Sequence, residues 1–202
     1  MTGGHDGIVL VARARQCAAA MKTYLTYGFA MSFGGALVVL ALYFLGMHDS
    51  ADKFDTAQWI QTCLGLAIGI AGIVLGTQAR RNGVPAGEPF GYGSAFGAGV
   101  MITLVAALLG LMTNYLYGAV INPQFTDVMM QAQADKLAAT GVPSDKIEQI
   151  QKMTAVMMKP PVLAVVGFMS GMLFGTIISL VTAAFLQRPA AENPADAPPP
   201  LS

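Results

Sequence analysis

The chain contains four long stretches without a formal charge. No Asp, Glu, Lys or Arg occurs across residues 23–47, 56–79, 89–126 or 160–187. A hydrocarbon core about 30 Å thick is crossed by about 20 helical residues rising about 1.5 Å each. The gaps therefore predict four transmembrane helices, at residues 24–46, 59–78, 94–118 and 162–186. Barrel strands are excluded, because they alternate apolar and polar residues over about ten positions. Residues 36–45 do not alternate.

Composition agrees. Of 202 residues, 54% are hydrophobic and only 11% charged, against about 25% charged in soluble chains. Mean hydropathy is +0.58. Eleven Lys and Arg offset eleven Asp and Glu, leaving no basic excess to hold nucleic acid. The expected fold is all-α: an integral membrane four-helix bundle.

Orientation follows from the cations, which accumulate in cytoplasmic loops. Arg13, Arg15 and Lys22 precede the first span, Arg80 and Arg81 lie between spans two and three, and Arg188 follows span four. The first loop has Lys53 against Asp49, Asp52 and Asp55. Both termini are thus expected in the cytoplasm. Tyr24, Tyr27, Tyr43, Trp59, Tyr92, Tyr115 and Tyr117 fall near span ends, where amphipathic rings favour the interface. No cleavable signal is evident.

Residues 1–22 read as a cytoplasmic segment with an alternative start at Met21, residues 23–188 as the membrane domain, and residues 189–202 as a disordered Pro-rich cytoplasmic tail. Only residues 122–160 can fold outside the membrane, on the periplasmic side. Asn122-Pro123 suggests a helix start, Gly141-Val142-Pro143 a break, and Ser144 a second cap. Ile147, Ile150, Met153 and Met157 recur at helical spacing. A helical hairpin with one apolar face is expected there. That face is a candidate surface for a membrane-protein partner or for the lipid bilayer.

Glycines give the clearest positional pattern. Gly65, Gly69, Gly72 and Gly76 share one face of span two; Gly167, Gly171 and Gly175 share one face of span four. Small residues at this spacing let helices approach closely in lipid. Packing within the chain is the plain use; a homo-oligomer seam or a sliding hinge is the alternative. The spacing predicts that Gly69→Leu or Gly171→Leu loosens the bundle.

No charge lies inside a span, which argues against proton coupling and voltage sensing. Ser170, Thr176, Ser179 and Thr182 on span four could line a polar path. More often such hydroxyls bond to their own helix. Enzyme signatures are missing: no His-Glu-x-x-His, Gly-x-Ser-x-Gly or phosphate loop occurs. Cys17 and Cys63 fall on different sides and cannot pair. Met129, Met130, Met153, Met157 and Met158 with His48 raise the idea of Cu(I), but Met equally serves apolar contacts. No catalytic residue, cofactor or metal is expected.

Tyr92-Gly93-Ser94-Ala95-Phe96, Gly99 and Ile102-Thr103-Leu104 resemble the third-span signature of a bacterial four-span family, domain of unknown function 4199. Asn122-Pro123-Gln124-Phe125, the Gly141 break, Gly175, Ile178-Ser179-Leu180 and Ala183-Ala184 continue the resemblance. It spans about residues 22–188. It implies a four-helix inner-membrane protein and brings no activity, substrate or site residue. The expected role is a non-enzymatic interaction, accessory or structural subunit. A small-solute channel or transporter along span four is the alternative, and an intramembrane enzyme a distant third.

Overall fold

The computed structural model describes residues 3–85 and 87–188. The predicted tail at 189–202 lies outside the described residues. The chain is all-α, with helices α1 (Gly3–Phe44), α2 (Ala51–Asn82), α3 (Tyr92–Leu116), α4 (Phe125–Ala139), α5 (Ser144–Thr154) and α6 (Pro160–Leu186). Four are long and apolar enough to cross a membrane: Ala14–Phe44, Ala51–Asn82, Tyr92–Ile121 and Pro160–Leu186. Large apolar side chains such as Phe29, Phe33, Leu75, Met112 and Phe185 face outward, as a lipid solvent requires.

Each charge-free gap holds one spanning helix, but α1 and α2 overrun theirs. α1 runs without a break through Met21, and α2 begins at Ala51, so Asp52 and Asp55 are helical rather than in a loop. Outside hydrocarbon a helix continues through charged residues until a breaker stops it. At α1 that breaker is Gly46, whose φ of +67° suits glycine alone. Its N–H reaches the Tyr43 carbonyl at 2.9 Å, and Met47 N–H reaches Leu42 at 3.0 Å, which closes the helix end.

The hairpin helices start differently from expectation. α4 begins at Phe125, three residues beyond Asn122, with no side-chain cap. Asn122 is instead buried and its amide turned inward. α5 ends at Thr154, so Met157 lies in a turn beyond it. Pro160 does not close the hairpin; it opens α6, because a first-turn residue has no intrahelical N–H bond to lose. Gly141, at φ +80°, ends α4 as Gly46 ends α1.

In the bundle, α3 packs on α1 and α6, α2 packs on α1 and α6, and α2 also touches α3. α4 sits over α2, and α5 packs on α4. The end carrying both termini is tightly tied. Phe90, Ala95, Ala98 and Ala183 form a buried cluster, flanked by Tyr24, Val84 and Phe96. Backbone bonds of 3.0 and 2.8 Å join Phe90 to Arg188, and Arg188 Nη2 donates to the carbonyls of Val84, Pro85 and Glu88 at 2.8–3.2 Å. The end of α6 is thereby fastened to the α2–α3 loop.

Candidate functional site: a glycine-walled cavity beneath a buried aromatic cluster

The glycine rows behave differently at their two ends. Toward the termini they are contact points. A Cβ on Gly76 would stand 2.5 Å from Ile102 Cδ1 and 3.0 Å from Tyr27 Cβ, and one on Gly99 would stand 2.8 Å from Ser179 Cβ. A Cβ on Gly72 would overlap Met31, and one on Gly175 would overlap Thr103. Gly28 meets Val105 in the same way, at 2.6 Å. These approaches are too close for any side chain, so α1, α2, α3 and α6 are locked together here.

Toward the hairpin the rows open. Gly65, Gly69 and Gly171 have nothing within 4 Å of a Cβ position, and Gly167 meets only Asn114 Nδ2 at 3.7 Å. The expectation that Gly69 and Gly171 are close-packing positions is therefore corrected: these glycines border empty space in the folded chain. That space is a cavity of about 470 Å³. Its walls are Met31, Ser32 and Gly35 of α1, Gly65 and Gly69 of α2, Ala106, Ala107 and Gly110 of α3, and Gly167 and Gly171 of α6. A neighbouring hollow of about 340 Å³ shares Ser32, Gly35, Gly65 and Asn114 with it and extends to Gln61 and Tyr117.

Few polar groups reach the cavity, and most are already engaged. Thr103 Oγ1 donates to the Gly99 carbonyl at 3.0 Å, Thr62 Oγ1 to Gln58 at 2.7 Å, and Asn114 Nδ2 to Gly110 at 2.9 Å. A polar solute or a water file needs groups free to exchange bonds with it.

The predicted polar row of span four does not form this wall. Ser179 is buried against Gly99 and donates to the Gly175 carbonyl at 2.7 Å; Thr182 is buried further toward the termini. Ser170 is exposed and Thr176 half-buried, and neither is among the cavity-lining residues. The four hydroxyls share one helix but not one face, because six- and nine-residue separations do not return to the same side of an α-helix.

Above the hollow lies a feature that sequence reading missed. After the Gly46 turn the chain folds back and buries His48, leaving it 2% exposed. α3 then widens into a π-helical turn, Tyr117–Ile121, closed by Asn122 N–H on the Tyr117 carbonyl at 2.7 Å. His48 Nδ1 and the Tyr117 hydroxyl form a hydrogen bond, and Asn122 Nδ2 donates to the same hydroxyl at 3.2 Å. The set is self-consistent when Tyr117 donates to a neutral imidazole and accepts from Asn122. Burial pushes the His48 pKa below its ordinary value, with Asp49 opposing.

Phe125 seals the cluster. Its ring centre is 5.2 Å from His48, 5.4 Å from Tyr117 and 5.7 Å from Phe54, within the range of favourable aromatic pairs. One side-chain group thus joins the α1–α2 loop, the end of α3 and the start of α4. Tyr117, expected at the lipid interface, is 5% exposed and belongs to this core. Trp59 remains outward-facing. A Cu(I) site using His48 Nδ1 would have to break the Tyr117 bond. Asp55 pairs with Lys136 at 2.6 Å, tying α2 to α4. Among the described residues no three His, Cys, Asp or Glu gather as a metal site does.

The apolar face of α5 is largely uncovered. Ile147 and Ile150 are half-buried, while Met153 is 72% and Met157 60% exposed. Cys17 and Cys63 are both free and exposed.

No curated protein and no solved structure gives a significant match to the chain. The family described as "Protein of unknown function (DUF4199)" matches residues 26–188. That interval takes in most of the first span, all four walls of the cavity, the aromatic cluster and the Arg188 fastening. With its four membrane-length apolar helices, this chain belongs to that family.

Proposed function

We propose that this protein is a non-enzymatic interaction subunit of a bacterial inner membrane, with both termini in the cytoplasm. The observation that carries this reading is the hairpin. α4 is held on the bundle by the aromatic cluster and the Asp55–Lys136 pair. It thereby presents α5, whose apolar face the described elements leave largely uncovered at Met153. An amphipathic helix held off the spans by a built support suits a docking role, with Ile147, Ile150 and Met153 as its contact row. Met suits surfaces that adapt to a partner. Arg13, Arg15, Lys22, Arg80, Arg81 and Arg188 support the orientation.

The small-solute path along span four is the weaker reading, since Ser179 and Thr182 are buried in helix packing. The test is a photo-crosslinking side chain at Met153 in native membranes, followed by mass spectrometry. A second protein captured in stoichiometric amount is the expected result. Self-crosslinks only, or none, would remove the accessory-subunit reading. A reporter fused after Lys136 should read periplasmic and one after Arg81 cytoplasmic; the opposite pair would invert the orientation.

A further inference from the structure

We propose that the cavity between the spans is a binding site for one apolar chain, the acyl chain of a membrane lipid. The inference is independent of the partner proposed for α5.

Size favours a slender chain over a helix. One turn of a helix about 10 Å wide and 5.4 Å long fills roughly 400 Å³. A cavity of about 470 Å³ therefore has room for about one turn and not for a helix lying along its length. An apolar cavity of about 150 Å³ holds one benzene ring, so the present one has room for a slender chain of roughly 15 carbons. Its length runs with the helices, from the level of Gly175 up to Asn114.

Chemistry excludes water and ions. No charged side chain lines the cavity. Of its four polar side chains, Thr62, Thr103 and Asn114 donate to carbonyls of their own helices, which leaves only the Ser32 hydroxyl to meet a ligand. A hydrated ligand would find little to replace its lost hydrogen bonds, whereas a methylene chain needs none. The glycines suit this occupant, because side chains at Gly65, Gly69 and Gly171 would fill the volume it takes. Access is lateral. Gly65, Leu66, Gly171 and Phe174 on the walls are exposed, so the mouth opens between α2 and α6. At the upper end Gln61 and Asn114 give a polar, uncharged rim for the ester end of the chain.

The test uses the full chain in phosphatidylcholine vesicles carrying a phospholipid with a diazirine in one acyl chain. After illumination, adducts are mapped by peptide mass spectrometry. Adducts are expected on Ala106, Ala107 and Gly110 in the cavity, as well as on outward-facing Leu108 and Met112. In Gly69→Leu/Gly171→Leu the interior adducts should vanish while those on Leu108 and Met112 persist. The glycines border open space, so the variant should fold; should it not, the wild-type pattern alone decides. Wild-type labelling confined to Leu108 and Met112 would overturn the proposal. So would reaction of Ala107→Cys, in a Cys17→Ser/Cys63→Ser background, with a membrane-impermeant maleimide, which would mean an aqueous cavity.

Discussion

The two halves of the bundle share one sequence device and use it in opposite ways. Near the termini, Gly76, Gly99 and Gly175 bring helices into direct contact. Near the hairpin, Gly65, Gly69 and Gly171 leave a cavity between them. What separates the halves is the neighbour each glycine meets. Ile102, Ser179 and Thr103 fill the glycine notches in the lower half. In the upper half the walls across from them include Gly35, Ala106, Ala107 and Gly110, with Met31, Ile68 and Phe168 beside them. Small facing small leaves a void, whereas small facing large makes a joint. The upper half is closed instead from above, by His48, Tyr117, Asn122 and Phe125.

The comparison would break first at the glycines. Gly99→Leu should lower stability by about 3 kcal/mol, because Ser179 and Ile73 cannot move aside without parting α3 from α6 and α2. Gly69→Leu should change it by less than about 0.5 kcal/mol. Thermal unfolding in one detergent measures both; equal losses would end the distinction between the halves.

Tyr117→Phe tests the upper closure. It removes the hydroxyl that joins His48 to Asn122 and leaves both buried groups short of a partner, at a cost of about 2 kcal/mol. Faster amide exchange should follow in α4 but not around Phe90 and Arg188. Equal exchange at both ends would show that the cluster is no separate closure.

pH should act on the upper half alone. Burial disfavours the charged imidazole of His48, so its pKa in the fold lies below that of the unfolded chain. The stability it contributes is complete above the unfolded value of about 6.5 and is lost as pH falls from there toward the folded value. His48→Gln should flatten that part of the stability profile; an unchanged profile would place the titration elsewhere. The smallest effect is expected from Lys136→Ala, below about 0.5 kcal/mol, because both partners of the Asp55 pair are largely exposed.

Much of this was legible in the residues. Charge gaps located four helices, since an ionised side chain in hydrocarbon is costly wherever it occurs in the sequence. Gly141 marked a helix end because glycine takes a positive φ without strain. The limits of reading were also physical. Asn122-Pro123 looks like a helix start, yet the Asn122 amide bonds to Tyr117. Tyr117 near a span end looks like an interface anchor, yet it is core. His48, Tyr117 and Phe125 share no periodicity, so no local signal announced their cluster.

The sequence by itself determined the number of spans, the all-α class, the family and the small faces of the helices, because burial in lipid acts on each residue alone. Only the tertiary structure decided which small faces close and which enclose space. That depends on the size of the residue across the gap, and a chain read one residue at a time does not say what lies across it.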